Sequence, residues 1–232
     1  MGRAEPRAKR TAGSKRSAKR TVADGFDLPL AVAPMEARTA LALPEGAGWQ
    51  YEPKWDGFRC IAFRAGEAVE LRAKSGKPLG RYFPEVVSLL RGLAADRFVV
   101  DGELVIETQG RLSFDALQAR LHPAASRIRR LATETPARFV VFDILSAAGT
   151  DLMTLPLIAR RKALEKFGNR NAVSNQLVLS PYTRDRSQAE RWLGDSGAGT
   201  DGVVAKRHDG AYESGERAMP GRQAEDRGGS RR

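Results

Sequence analysis

The chain has 232 residues, 41% of them hydrophobic, and a formal net charge of +11. That is enough apolar material for one large or two small domains with a real core, and no apolar run approaches the ~20 residues that a bilayer-spanning helix needs. A single cysteine, Cys60, excludes an internal disulfide. Together with a basic N-terminus lacking an apolar stretch behind it, this points to a reducing, cytoplasmic setting and no secretory leader.

Residues 1–22 carry Arg3, Arg7, Lys9, Arg10, Lys15, Arg16, Lys19 and Arg20 against Glu5 alone, so +7 of the charge sits on this tail. Its Ala, Ser, Gly and Thr cannot form a core, and it is expected to be disordered. Lys9, Arg10, Lys15, Arg16, Lys19 and Arg20 are expected to engage DNA phosphates, because clustered cations release counterions from nucleic acid. A merely solubilising arm is the alternative.

Further along, "DLPLAVAPMEA" reads as an extended, proline-punctuated lead-in. "YEPKWDGFRC" (51–60) reads as one half-buried strand, with Lys54, Asp56 and Arg59 set among Tyr51, Trp55 and Phe58. "FRCIAFRAGEAVELRAK" alternates around Ala65-Gly66 as a hairpin does. Residues 84–95 have helical spacing with Pro84 at the start, and "RFVVDGELVI" follows as a strand. Residues 112–122 form a short amphipathic helix with Ser113 as its cap, 137–145 a strand, and 155–168 a helix closed by Gly168. A strand near 176–182, a helix over 187–194 and the strand "DGVVAKRH" complete the pattern, and no internal repeat shows. Hairpins and helices mix without a regular βαβ beat, which predicts an α+β fold of mainly antiparallel sheets flanked by helices. After "YESGERAM" the composition turns to Gly, Arg and Ala, so the expected layout is a basic tail 1–22, one domain 23–218, and a disordered tail 219–232.

Three of these strands, "KWDGFR", "VVDGELV" and "TDGVVAK", carry polar groups that sheet packing alone would not choose. Each taken alone reads as an Asp-Gly turn, or as a lysine whose stem covers apolar surface. Together they supply what attack on a triphosphate requires: a nucleophile, cations to offset phosphate charge, and carboxylates for Mg²⁺. A lysine becomes nucleophilic where burial or nearby cations favour its neutral form.

The set resembles the ATP-dependent DNA ligases, and among them the short bacterial enzymes linked to end joining. These lie within the covalent nucleotidyltransferases that include RNA ligases and mRNA-capping enzymes. "KWDGFR" is similar to the nucleotide-attachment motif, "DGELV" to the third motif, "FVVFD" to the next and "DGVVAK" to the fourth, in family order. "MEARTALALPEGAGWQYEPKWDGFR" and "KSGKPLGRYFPEVV" are similar to the flanking text, and the likeness runs from about residue 27 to 218.

The resemblance implies a nucleotidyltransferase fold, ATP as AMP donor, Mg²⁺, and nicked or broken DNA as substrate. By it, Lys54 would attack the α-phosphate and become lysyl-AMP. Arg59 and Glu103 would contact ribose or phosphate, and Glu103 and Asp201 would hold the metal. Phe142 would stack on adenine with Glu52 at its edge, and Lys206 would approach the phosphates. Lys74 keeps a cation where the family has arginine in "S-R-x-G", and Asp201 stands where the fourth motif often has glutamate. Against these stand plainer readings: Phe142 and Cys60 as core, Asp101 as a turn acid left out of the site, and Trp49, Trp55 and Trp192 as packing. His122 and His208 show no ligand pattern. The lysine pair of a fifth motif and a following oligonucleotide-binding barrel are not found after "GERAM". A chain ended inside that motif by a shifted reading frame, and impaired by it, is therefore expected. A monomer at the nucleoid is expected, with DNA and end-joining proteins as partners and no membrane. Its rivals are an RNA-ligase or capping relative and a non-catalytic DNA-binding remnant.

Overall fold

The computed structural model describes residues 25–171, 174–194 and 200–223. The basic arm with Lys9, Arg10, Lys15, Arg16, Lys19 and Arg20, and the tail beyond Gln223, lie outside the described residues. The elements run β1 (Ala37–Thr39), β2 (Trp49–Trp55), β3 (Phe58–Ala65), β4 (Ala68–Ala73), α1 (Pro84–Arg91), β5 (Arg97–Val105), β6 (Glu107–Thr108), β7 (Arg111–Leu112) and α2 (Phe114–Arg120). They continue as α3 (Ala125–Glu134), β8 (Arg138–Ala147), β9 (Thr150–Asp151), α4 (Leu157–Arg170), β10 (Leu177–Leu179), α5 (Arg186–Gly194), β11 (Thr200–Arg207) and β12 (Met219–Gln223).

Two sheets carry the architecture. The first has the order β1-β12-β11-β2, and the second β10-β8-β5-β3-β4 with β9 beside β8. Most pairs are antiparallel, and β1–β12 and β10–β8 are parallel. The α+β expectation holds. The single strand expected over residues 51–60 does not. It breaks at Asp56-Gly57 into β2 and β3, which belong to different sheets. Gly57 sits so close to β5 that a Cβ there would lie 2.3 Å from the Leu104 carbonyl oxygen. The chain thus crosses between sheets where only glycine fits.

One face of the second sheet packs Cys60, Val100, Leu104 and Phe139 against Phe83 and Leu90 of the α1 region and Leu164 and Phe167 of α4. Its other face buries Ile61, Phe63, Val99 and Leu145 under Phe26 and Leu28 of the lead-in and under Tyr212. The first sheet packs Tyr51, Val203 and Ala205 against Ala189 of α5. Arg64, on β3, donates to the carbonyls of Leu90, Leu93 and Ala95, and so ties the end of α1 and the segment after it to the sheet.

Local signals mostly read true. The hairpin turns at Gly66 (φ 61°), Pro84 opens α1, and the Ser113 hydroxyl accepts from the Ala116 N–H. Two expectations fail and one helix is missed. Gly168 lies inside α4, which ends at Asn171; the Asn171 amide donates to the Phe167 carbonyl and its oxygen accepts from the Ala95 N–H. Helix α3 went unread although Ile128, Leu131 and Ala132 stand at helical spacing; the stripe is short, Arg127, Arg129 and Arg130 crowd around it, and only Ile128 is buried. Residues 219–223, taken as tail, form β12 between β11 and β1. That strand is held by backbone pairing with two neighbours, and its own side chains do not announce it.

Candidate active site

The site grows from the β2–β11 pair. Glu52 and Lys54 alternate onto one face of β2, opposite Val204 and Gly202 of β11. Thr200 pairs with Trp55 and Gly202 with Lys54, so Asp201 is an extra residue on β11. Such a bulge re-aims its side chain, and Asp201 meets Lys54 with Nζ 2.9 Å from Oδ2. The pair is partly open to solvent, with side chains 30% and 43% exposed. Lys206, on the same face, donates to Glu52 at 2.7 Å, and the Gln50 amide donates to the other Glu52 oxygen at 2.7 Å. That second ion pair is buried.

The facing lip belongs to the second sheet. Arg59 of β3 lies opposite Glu103 of β5. Its Nε and Nη2 donate to the two Asp101 oxygens, both at 2.7 Å. Asp101 pairs with Asp143 of β8, and Gly102 with Val141, so Phe142 is again the extra residue of a bulge. The Phe142 ring lies 4.4 Å from the Arg59 guanidinium carbon and 4.7 Å from the Lys206 ammonium. Two bulges in two sheets thus aim Asp201 and Phe142 into the same space.

That space is a cleft of about 290 Å³. Glu52, Lys54, Arg59, Lys74, Glu103, Phe142, Asp201 and Lys206 all line it, so every sequence-expected site residue of the domain meets there. Lys74 sits at the exposed rim, bonded to Glu36 at 2.8 Å. Asp56 and Val204 line the cleft too, as does Met219 of β12. Trp55 both lines it and donates its indole N–H to Ser180. Lys206 is bonded at the Glu52 end of the β2–β11 face, whereas Lys54 is bonded to Asp201.

Burial decides the electrostatics. The Glu103 carboxyl is pushed up to about 8, mainly by burial; Arg59 and Lys54 pull against this and Asp101 with it. Asp56 is raised by burial and then by the Asp201 charge. Burial opposes the Arg59 charge, yet the Asp101 carboxylate and its bonds more than offset this and hold the guanidinium ionised. Burial also raises the Cys60 thiol, which makes it an inert core residue.

Glu103 gives a pH test with a definite sign. Its folded value lies above the ordinary 4.5, so the folded chain holds the extra proton between 4.5 and about 8. Stability therefore falls as pH rises through that window and levels above it. Glu103→Gln, neutral throughout, is expected to gain on the parent by up to about 1.4 kcal/mol per pH unit across the window. Urea unfolding at pH 5 and pH 8 measures this, and a difference that does not change with pH refutes it.

Asp101 is the principal residue that sequence reasoning left out. It lies in the middle of β5, fully buried, and is no turn acid. The signal was present: an acid between Val100 and Gly102 in a long apolar run needs a buried partner, and Arg59 is that partner.

Comparisons with known proteins give the family and the fold. The model of the ATP-dependent DNA ligase domain matches residues 29–220. DNA ligase C of Mycobacterium tuberculosis is 44% identical over 191 residues, covering 81% of this chain and 53% of that protein. DNA ligase C1 of Mycolicibacterium smegmatis is 43% identical, covering 84% of this chain and 57% of that protein. The chain thus spans about half the length of these relatives. Among solved structures, the ligase domain of M. tuberculosis LigD superposes with a TM-score of 0.68 at 28% identity, covering 83% of this chain and 59% of that one. A mycobacterial DNA ligase D complexed with ATP superposes at 0.66, with 26% identity, covering 83% of this chain and 60% of that one. With its two sheets, its cleft and a family match across most of its length, this chain belongs to the ATP-dependent DNA ligases and has their nucleotidyltransferase fold.

Proposed function

We propose that the cleft takes ATP and that Lys54 Nζ attacks its α-phosphorus. A P–N bond forms, the bond to the bridging oxygen breaks, pyrophosphate leaves, and the nitrogen sheds its proton. The resulting lysyl-AMP passes AMP to a DNA 5′-phosphate, which frees the lysine, and a neighbouring 3′-hydroxyl then attacks that phosphate and expels AMP, sealing a nick or break in repair. One observation carries this reading: all eight expected residues of the domain line a single cleft around the Lys54–Asp201 pair. The relative solved with ATP supports the choice of nucleotide. End joining is named for a relative, LigD of M. tuberculosis, at 31% identity over 73% of this chain, and its partners are the natural candidates here.

Within this reading, Arg59 and Glu103 face ribose or phosphate, Phe142 and Val204 hold the ring between them, and Glu52 meets its edge. Lys206 and the rim cation Lys74 complete the positive field. Mg²⁺ suits the site. Asp201 and Glu103 are oxygen donors on one cleft, and Mg²⁺ usually takes only one or two carboxylates beside substrate phosphates. A buried carboxyl held near neutral is a group that a cation would readily ionise. When bound, the metal offsets phosphate charge and favours the neutral amine.

β12 qualifies the rate. Met219 lines the cleft, and Gly221, next on that face, brings no side chain. Arg222 alternates to the opposite face, so β12 adds no cation beside the α-phosphate, and self-adenylation is expected to be slow. The test is incubation with ATP labelled at the α-phosphate followed by denaturing electrophoresis. Label retained on protein from ATP and not from GTP is expected. A chain that binds ATP and never retains label would instead be a nucleotide-binding remnant, the second reading that β12 favours.

A further inference from the structure

Outside the motif residues, one buried hydroxyl is wired to the site. Tyr212 lies between β11 and β12 and is 5% exposed. Its hydroxyl donates to Asp101 Oδ2 at 2.6 Å and accepts from the Met35 N–H at 3.1 Å. Asp101 in turn holds Arg59 through two 2.7 Å bonds, and Arg59 Nη2 donates to the Met35 carbonyl at 3.1 Å. The four residues close a ring of hydrogen bonds that joins the lead-in, β3, β5 and the segment before β12.

We infer that Tyr212 is a positioning residue for the nucleotide cleft: its hydroxyl fixes the Asp101 carboxylate, which sets Arg59 against Phe142. This deepens the proposed function and rests on it, because Arg59 and Phe142 are taken to meet the nucleotide. Packing does not require the hydroxyl. Tyr212 shares a core cluster with Phe26, Leu28, Phe63 and Leu145, the Arg160 guanidinium carbon lies 5.8 Å from its ring centroid, and phenylalanine would keep the ring. Removing the hydroxyl leaves Asp101 Oδ2 with Arg59 as its one donor and the Met35 N–H without its acceptor. The guanidinium then loses the brace on one side of its carboxylate. Its bonds use Nε and Nη2, leaving Nη1 in a side chain 21% exposed at the cleft. Small errors in such a group weaken binding out of proportion. The phenol is raised well above its usual range by burial and by the Asp101 charge, so it remains a donor throughout the working pH range.

The experiment uses the full chain and Tyr212→Phe, with two readouts. The first needs no nucleotide. The Arg59 Nε–H resonance, assigned through Arg59→Lys, is expected to exchange slowly with solvent in the parent and at least tenfold faster in Tyr212→Phe. The second is calorimetric ATP affinity, expected to fall about tenfold in Tyr212→Phe and to fall no further when Tyr212→Phe is added to Arg59→Met. An unmoved Arg59 resonance, or ATP losses that simply add, overturns the inference and leaves Tyr212 a packing residue. A parent chain that binds no ATP overturns the proposed function instead, and the Arg59 resonance still decides whether Tyr212 positions it.

Discussion

Lys54→Ala is expected to abolish covalent retention of AMP while leaving the fold and most of the ATP affinity in place. The lost side chain is 30% exposed and its partner Asp201 is 43% exposed, so the pair is screened by water. Exposed pairs of this kind contribute about 0–1 kcal/mol, and urea unfolding should move by no more than that. Asp201 is not stranded, because solvent reaches it. The chemistry, by contrast, loses its only attacking atom. Lys54→Arg should be equally inert, since a guanidinium stays protonated in proteins, although it restores the charge beside Asp201. The contrast between charge restored and label absent separates a nucleophile from a mere phosphate-binding cation. Labelled ATP and denaturing electrophoresis decide it, and either variant keeping parental label removes Lys54 from the role.

Lys54, Glu103 and Asp201 were legible as polar groups on apolar strands, whereas Glu52, Arg59, Phe142, Lys206 and the turn residue Lys74 were named through the family resemblance. Glu103 among Val100, Leu104 and Val105 costs too much to bury without a purpose, and Lys54 sets a charge between Tyr51 and Trp55. What brings them together was not legible. Asp201 and Phe142 reach the cleft through bulges, and a bulge depends on the register of a partner strand that no local pattern encodes. The break at Gly57 has the same cause: its reason lies at Leu104, 47 residues away in the chain. β12 hid for a related reason. Met-Pro-Gly-Arg-Gln has neither alternation nor β-branched residues, and it is a strand because β11 and β1 leave a place for one. Helix α3 is the local counterpart, a helix with a polar surface and one buried Ile128. Asp101 was misjudged through its neighbour, since Asp-Gly most often marks a turn.

That neighbour yields the second large effect. Gly102→Ala is expected to destabilise the chain by at least about 3 kcal/mol, the range of a severe core clash. Gly102 needs no left-handed backbone, because its φ lies outside the positive range. What it needs is space. A Cβ there would lie 2.5 Å from the Val140 carbonyl oxygen and 2.7 Å from Phe139 Cε2. β5 is flanked by β3 and β8 on both edges, so neither the carbonyl nor the strand can step aside. Gly110 is the control. It has φ 77° in the turn between β6 and β7, and a Cβ added there would meet nothing within 4 Å, so Gly110→Asn should cost under about 1 kcal/mol. Urea unfolding of both variants tests the contrast, and equal small losses would show that β5 and β8 can separate freely. The functional consequence follows from position. Gly102 lies between Asp101 and Glu103, and its bare face lets β8 approach closely enough for the bulge to present Phe142. Any Gly102→Ala chain that still folds must move β8 away from β5. Arg59, bonded to Asp101 and stacked on Phe142, cannot then keep both contacts. ATP affinity should fall with stability in that variant, whereas in Gly110→Asn it should not change.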